Sequence, residues 1–475
     1  MELFEHYLYR SPLLSIRDFK EIERNDLSDK DYVFYLIDYI KKHNLYANIY
    51  SSSKSLYYSI INFNRDTSDK KTKNILISLY KYLVRMTFRS TPFGMYSGVG
   101  INTINSEEQS KEKVIYYSYI NNSAIYLLIN HLHNENKILD KIKVCNNPNM
   151  YEDYTHLFLP YQVEYSSNEY KDSGNISLKK NKLTQRVVEL CAHEINFNKL
   201  KDILCSEFQA PEITVHEYLK KLIFEDFLIT EFKINLSTKN SYKSIIKLLE
   251  EIKETTNIVY IIFQKLDNII DEINSSDDRI TILNLLISAD KLIASNFPNF
   301  KDNVLNIDTK IDGRNFQITD NDIKDIKNVA ELNSQLTLFE PSKVLEDYKN
   351  KFSEIYGQDE DVKLTNLLNG SLGLGIPNEY TTTTNLNNLE KANSIAGILE
   401  NWKTEALLNN DKVIKLSNDK LLELDPYLQK SNINTSFDMY LTKLSNSSKL
   451  YLKTNSGSLH ATQTYGRFTY MFPFN

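Results

Sequence analysis

Glycine is scarce in this chain, with twelve in 475 residues. A sequence that rarely uses glycine keeps it where a positive φ or a close backbone approach requires it, so the placement of the few constrains the fold. Six of the twelve fall in two short windows, Gly94, Gly98, Gly100 and Gly370, Gly373, Gly375. The first window follows residues 73–86, KNILISLYKYLVRM, where Ile75, Leu76, Leu79, Leu83 and Met86 recur at helical spacing and Lys73, Lys81 and Arg85 lie off the stripe. Pro92 bars that helix from running on through FRSTPFGMYSGVG. The first 90 residues as a whole read as helical, 113–120 as a strand and 123–133 as a short helix.

Composition sets the class. Hydrophobic residues make up 41% and charged residues 25%, the profile of a folded, soluble protein. The length suits about three units of roughly 150 residues. No run of about 18 apolar residues exists to span a membrane, and Glu2, Glu5 and Arg10 interrupt the start where a signal peptide needs an apolar run. Three cysteines with no CxxC pair make no disulfide framework, so a reduced cytoplasmic protein is expected. A net charge of −6 argues against a general nucleic-acid binder.

Residues 151–235 read as a unit. HLFLPYQVEY (156–165) and NISLKK (175–180) resemble two strands joined by a polar loop, and helical patterns follow at 183–193, 197–208 and 215–228 before a final strand, LITEFKINL. In the last helix Tyr218, Leu219, Leu222 and Ile223 share a face. These are the parts of a winged helix-turn-helix. Its third helix sets Glu217, Glu225 and Asp226 against Lys220 and Lys221, too acidic for a helix that approaches DNA phosphates. Capture of a peptide by strand addition fits better. Beyond it, 241–256 and 279–296 read as amphipathic helices, 304–311 as a strand bearing Asp308, and Thr319 with Asp322 as a capping pair for a helix at 320–339. The aromatic ending SLHATQTYGRFTYMFPFN suggests a polypeptide that stops inside a domain.

Arg85 and Arg89 are four residues apart, so a helix persisting to Arg89 projects both from one face. With the Thr91 hydroxyl and the amides of Phe93 and Gly94, they suit a phosphate or carboxylate. A helix C-terminus whose arginines offset the dipole, followed by a Pro-Gly turn, accounts for the same residues. The second glycine window matches no phosphate loop and reads as a structural turn. His131 and His133 lack a third ligand nearby, Cys191 and Cys205 lie on apolar faces, and no GxSxG exists.

The stretch LVRMTFRSTPFGMYSG (83–98) resembles the signature of the lantibiotic dehydratase family, Arg-x3-Arg-x-Thr-Pro-Phe/Tyr-Gly after a helix. Tyr9-Arg10-Ser11-Pro12, NVLNIDTKID (303–312), KFSEIYGQDEDVKLTNLLNGSLGLGIP (351–377) and TYGRF (464–468) are similar to further elements of that family, in its order. The resemblance implies an α+β fold of mixed helices and sheets with an embedded winged-helix-like peptide-binding subdomain. It also implies an activity. Family members take glutamate from glutamyl-tRNA, place it as an ester on Ser or Thr of a ribosomal precursor peptide, and expel it in a separate elimination domain.

Carried over residue by residue, the resemblance makes Arg85, Arg89, Thr91, Asp308 and Arg467 candidate catalytic residues, with Arg10 as a further substrate contact. Tyr218 and Leu222 are candidate leader-peptide contacts. One departure stands out. Where the family has an acidic residue before the helix near 125, this chain has Asn121, which keeps part of a hydrogen-bonding role and loses the charge. The expected organisation is an N-terminal glutamylation lobe over 1–150, a leader-binding subdomain over 151–235, and a second, incomplete glutamylation lobe over 236–475 without the elimination domain. Expected partners are the precursor peptide, glutamyl-tRNA as co-substrate with no bound cofactor or metal, a second polypeptide supplying the missing parts, and a complex with cyclase and transporter that would bring a cytoplasmic protein to the membrane. DNA is not expected. Any tRNA contact is expected to be a local cluster around Arg85, Arg89 and Arg467. The alternative is a non-catalytic leader-binding protein or the remnant of a truncated gene.

Overall fold

The structure, a computed structural model, describes all residues except 1, 25, 105–111, 160–175, 236–237, 315–317, 337–342, 359, 371–372, 378–385, 428–435, 444–449, 459–461 and 473–475. The chain forms two units, Glu5–Asn315 with Phe468–Asn475, and Met1–Phe4 with Phe316–Arg467.

The larger unit starts with β1 (His6–Pro12), α1 (Ile16–Ile22), α2 (Asp29–Lys42), α3 (Tyr46–Ser52), α4 (Lys54–Ile61), α5 (Asp69–Phe88), β2 (Ser97–Thr103), β3 (Lys113–Ile120) and α6 (Asn122–Asn134). The expectation of a wholly helical start is corrected at β1. Its Tyr-Leu-Tyr run favours strand, and Pro12 is tolerated at the end of a strand on the sheet edge. Of the stripe read from the sequence, helix α5 buries Ile75, Leu79, Leu83 and Met86 and half-buries Leu76.

The next segment holds α7 (Asn136–Leu139), β4 (Lys143–Asn146), β5 (Tyr151–Glu152), β6 (His156–Leu159), β7 (Ile176–Lys179), α8 (Lys182–Leu190), β8 (Ile195–Asn196), α9 (Phe197–Phe208), α10 (Glu212–Phe224) and β9 (Leu228–Thr230). Strand β4 pairs with both β8 and β9, while β5, β6 and β7 form a separate antiparallel sheet. The polar loop expected between the two strands lies outside the described residues. Helix α10 stops four residues before the expected end. Asp226 takes φ +61°, and β9 begins two residues later at Leu228.

Helices α11 (Lys243–Glu251), α12 (Ile258–Ser275) and α13 (Arg279–Asn296) lead to β10 (Leu305–Asp312). Helix α12 lies where the sequence predicts no element, because its opening IVYIIF is as β-prone as it is helical. Its buried Val259, Ile262, Phe263, Leu266, Ile270 and Ile273 settle the period as helical.

The main sheet runs β1-β2-β10-β3, with β10 parallel to β2 and the other pairs antiparallel. Glycine makes this sheet possible at β2. A Cβ on Gly98 would lie 2.7 Å from the Thr309 carbonyl oxygen, and one on Gly100 would lie 2.2 Å from the Tyr9 ring. Tyr9 crosses Gly100 to donate its hydroxyl to the Ile311 carbonyl. Tyr116, Ile120, Leu305 and Ile307 belong to the large helical core. On the other face Val99, Leu8 and Tyr117 pack with Phe468, Met471, Tyr470 and Phe472.

The smaller unit contains α14 (Asp320–Leu336), α15 (Lys343–Tyr356), α16 (Leu364–Leu367), α17 (Leu386–Leu408), α18 (Asn418–Leu424), β11 (Asp438–Lys443), β12 (Leu450–Ser458) and α19 (Gln463–Gly466). The expected capping pair opens α14: Thr319 N–H donates to Asp322 Oδ2 at 2.8 Å, and Asp322 N–H to Thr319 Oγ1 at 3.2 Å. The second glycine window is a turn wrapped on α16. Gly375 has φ +75°, and both Leu374 and Gly375 donate their N–H to the Leu367 carbonyl, at 2.9 and 3.1 Å.

Candidate functional site

Helix α5 ends at Phe88, and Arg89 is already extended at φ −106°, ψ 107°. This corrects the expectation of one helical face for both arginines: the helix closes before Arg89, three residues short of Pro92. Arg85 remains in the last turn, where its guanidinium stacks 4.2 Å over the Phe93 ring. Its Nε is buried with no hydrogen-bond partner among the described residues. Burial first, and the nearby Arg89 charge second, lower the Arg85 pKa. A guanidinium held with a like charge beside it, and no acidic partner among the described residues, is electrostatically suited to an anion.

The turn after α5 is held by its neighbours. Ser97 Oγ donates to the Thr91 carbonyl at 2.5 Å, leaving Thr91 itself exposed, and Thr309 Oγ1 donates to the Gly94 carbonyl at 2.7 Å. Gly94 takes φ +52°. The Phe93 amide expected to face a ligand points instead toward the Ser97 carbonyl, 3.5 Å away, closing the turn.

Asp308 lies on β10 with 4% of its surface exposed. Its Oδ2 accepts the Tyr470 hydroxyl at 2.6 Å and the Tyr119 hydroxyl at 3.4 Å. Lys239 Nζ sits 3.9 Å over the Tyr119 ring and 5.4 Å over that of Tyr470. Alternation puts Arg10, Val99, Asp308, Lys310, Tyr117 and Tyr119 on one face: Arg10 pairs with Val99, Val99 with Lys310, and Asp308 with Tyr117. Arg10 and Asp308 are thus two strands apart, about 10 Å across the sheet. Sequence reasoning missed Tyr119, Tyr470 and Lys239. The period-2 repeat of Tyr117 and Tyr119 was a usable signal for one of them; Lys239 offered none.

Asn121 caps α6. Its Oδ1 accepts the Ser123 N–H and hydroxyl, both at 3.0 Å, and its own N–H donates to the Val304 carbonyl at 2.8 Å. Arg467, exposed in the smaller unit, follows α19, whose first turn is fixed by Asp438 accepting the Thr462 and Thr464 amides at 2.8 and 3.3 Å. Leu222 is 2% exposed and packs in the interior of the three-helix segment. Tyr218 is half-buried, its hydroxyl 3.0 Å from Thr184 Oγ1, and burial raises its pKa. A truncation at either residue therefore removes core packing as well as any peptide contact.

Among the described residues no three His, Cys, Asp or Glu side chains gather as a metal site. His133 is buried against Thr230 Oγ1 at 2.9 Å. Cys191 is a core residue whose thiol burial pushes up to about 12. No described helix is long and apolar enough to cross a membrane.

A sequence model described as lantibiotic dehydratase, N terminus, matches residues 42–474. The chain belongs to the lantibiotic dehydratase family. It is 25% identical to the subtilin biosynthesis protein SpaB of Bacillus subtilis and 26% identical to the epidermin biosynthesis protein EpiB of Staphylococcus epidermidis, each across 98% of this chain. These alignments cover 45% and 46% of the relatives, so the chain spans about half the length of the curated relatives it matches. Its fold is similar to that of MibB, a tRNA-dependent lantibiotic dehydratase from Microbispora sp., with a TM-score of 0.73 at 16% identity over 99% of this chain and 45% of that one.

Proposed function

We propose that the chain is the N-terminal, glutamylating portion of a lantibiotic dehydratase. It transfers glutamate from glutamyl-tRNA to Ser or Thr hydroxyls of a ribosomal precursor peptide, with residues 151–235 holding the leader. In this reaction the peptide hydroxyl attacks the glutamyl ester carbonyl. One ester forms as the other breaks, and the hydroxyl proton ends on the departing tRNA ribose oxygen. Arg85 and Arg89 hold a tRNA phosphate or the glutamyl carboxylate, and Thr91 and Arg10 are further contacts. Asp308 orients the attacking hydroxyl.

The observation that supports this reading most is Arg85: stacked on Phe93, with a buried Nε lacking a partner and the Arg89 charge beside it. The test incubates the chain with precursor peptide, tRNA, glutamate and glutamyl-tRNA synthetase, with and without a polypeptide spanning the remainder of the relatives. A mass gain of one glutamyl unit supports the proposal, and none in either mixture sinks it. Asn121, neutral where the family is acidic, favours the second reading of a non-catalytic leader-binding protein. Peptide binding without glutamyl transfer selects that one.

A further inference from the structure

We infer that Tyr470 is a positioning residue for Asp308, an inference that rests on the glutamylation reading. A carboxylate has two oxygens, and here they are unequally engaged. Oδ2 takes the Tyr470 hydroxyl at 2.6 Å and the Tyr119 hydroxyl at 3.4 Å, whereas Oδ1 has no hydrogen-bond partner among the described residues. Two donors on one oxygen fix the torsion of the carboxylate and leave the other oxygen to accept a substrate hydroxyl. The shorter of the two bonds comes from Tyr470, so it is the main tether.

Tyr470 is itself held. Its ring meets Tyr117 edge-on at 6.0 Å and Tyr119 at 6.4 Å, with Lys239 Nζ 5.4 Å from its centroid. Phe468 and Met471, 2% and 0% exposed, anchor the same short segment beside Val99. Tyr117 and Tyr119 come from β3, Asp308 from β10 and Tyr470 from beyond the other unit, so distant parts of the chain converge on one carboxylate. The site thereby gains orientation from a residue that need not touch the peptide.

Tyr470→Phe keeps the ring contacts and deletes the hydroxyl. In the glutamyl-transfer assay it should lower kcat about tenfold, the scale of a lost hydrogen bond to a charged group, with KM for the precursor peptide unchanged. Tyr119→Phe should lower it less. A drop in melting temperature with kcat unchanged would show a merely structural role and overturn the inference. A second readout needs no activity: in protein labelled at tyrosine Cζ with carbon-13, the Tyr470 signal, assigned by its loss in Tyr470→Phe, should shift in Asp308→Asn. A signal that stays put overturns the inference whether or not transfer occurs. Wild-type inactivity with a shifted signal sinks the glutamylation reading and the kinetic claim, yet supports the tether.

Discussion

Arg85 shows at the residue scale why charge alone does not describe this site. Its guanidinium is planar and lies over Phe93, so a lysine would keep the charge while losing the stack and the fork of donors. Arg85→Lys should therefore reduce glutamyl transfer nearly as far as Arg85→Met, by about 10- to 100-fold, measured as initial rate at saturating precursor. Near-normal activity in Arg85→Lys would reduce Arg85 to a source of positive potential. Asn121 gives a second prediction. As a helix cap it should be replaceable by Asp without loss, whereas Asn121→Ala should cost about 1 kcal/mol in urea denaturation. The sequence made Arg85, Arg89 and Thr91 legible because they share one short motif. Tyr470 escaped notice because its partner Asp308 lies 162 residues away, and a distance of that kind has no local signature.

Glycines and buried polar groups decide matters at the element scale. Strand β2 fits between β1 and β10 only without side chains at two positions, so Gly100→Ala should destabilise the protein by about 1 to 3 kcal/mol by driving a methyl into Tyr9 and the Ile311 carbonyl. Gly370, with nothing within 4 Å of a built Cβ, is the control, and its alanine variant should unfold like the wild type. Both are read from chemical denaturation midpoints. Helix α6 and strand β9 meet at His133, where burial holds the imidazole neutral down to about 4 rather than the ordinary 6.5. The unfolded chain takes up that proton near its ordinary value and the folded one does not. The stability it contributes is thus complete above about pH 6.5 and lost as pH falls toward 4, on the order of 3 kcal/mol in all. Urea midpoints followed through that window should fall more steeply in the wild type than in His133→Gln. The stripe of α5 and the cap of α14 were legible because each is local. The end of α10 was not, since it depends on Asp226 adopting a left-handed turn that feeds the sheet.

The whole molecule carries a net charge of −6, an awkward background for the proposed tRNA co-substrate. Binding through a few arginines rather than a basic face predicts a shallow salt dependence. Two phosphate contacts on the single-stranded tRNA end give a slope of log K against log salt near −1.4. A slope several times steeper would point to an extended basic surface instead. The family assignment and the helical and sheet content were within reach of the sequence, whose five matching elements run in order from Tyr9 to Phe468. The sheet was not, because β1, β2, β3 and β10 are brought together from residues 6 to 312 and two of its partners are parallel. The most direct test of the central claim uses preformed glutamyl-tRNA labelled in the glutamate, with precursor peptide and the polypeptide spanning the rest of the relatives' length. Label is expected on peptide Ser or Thr with wild-type protein and almost none with Arg85→Met. No label with wild type, or equal label with both, would contradict it.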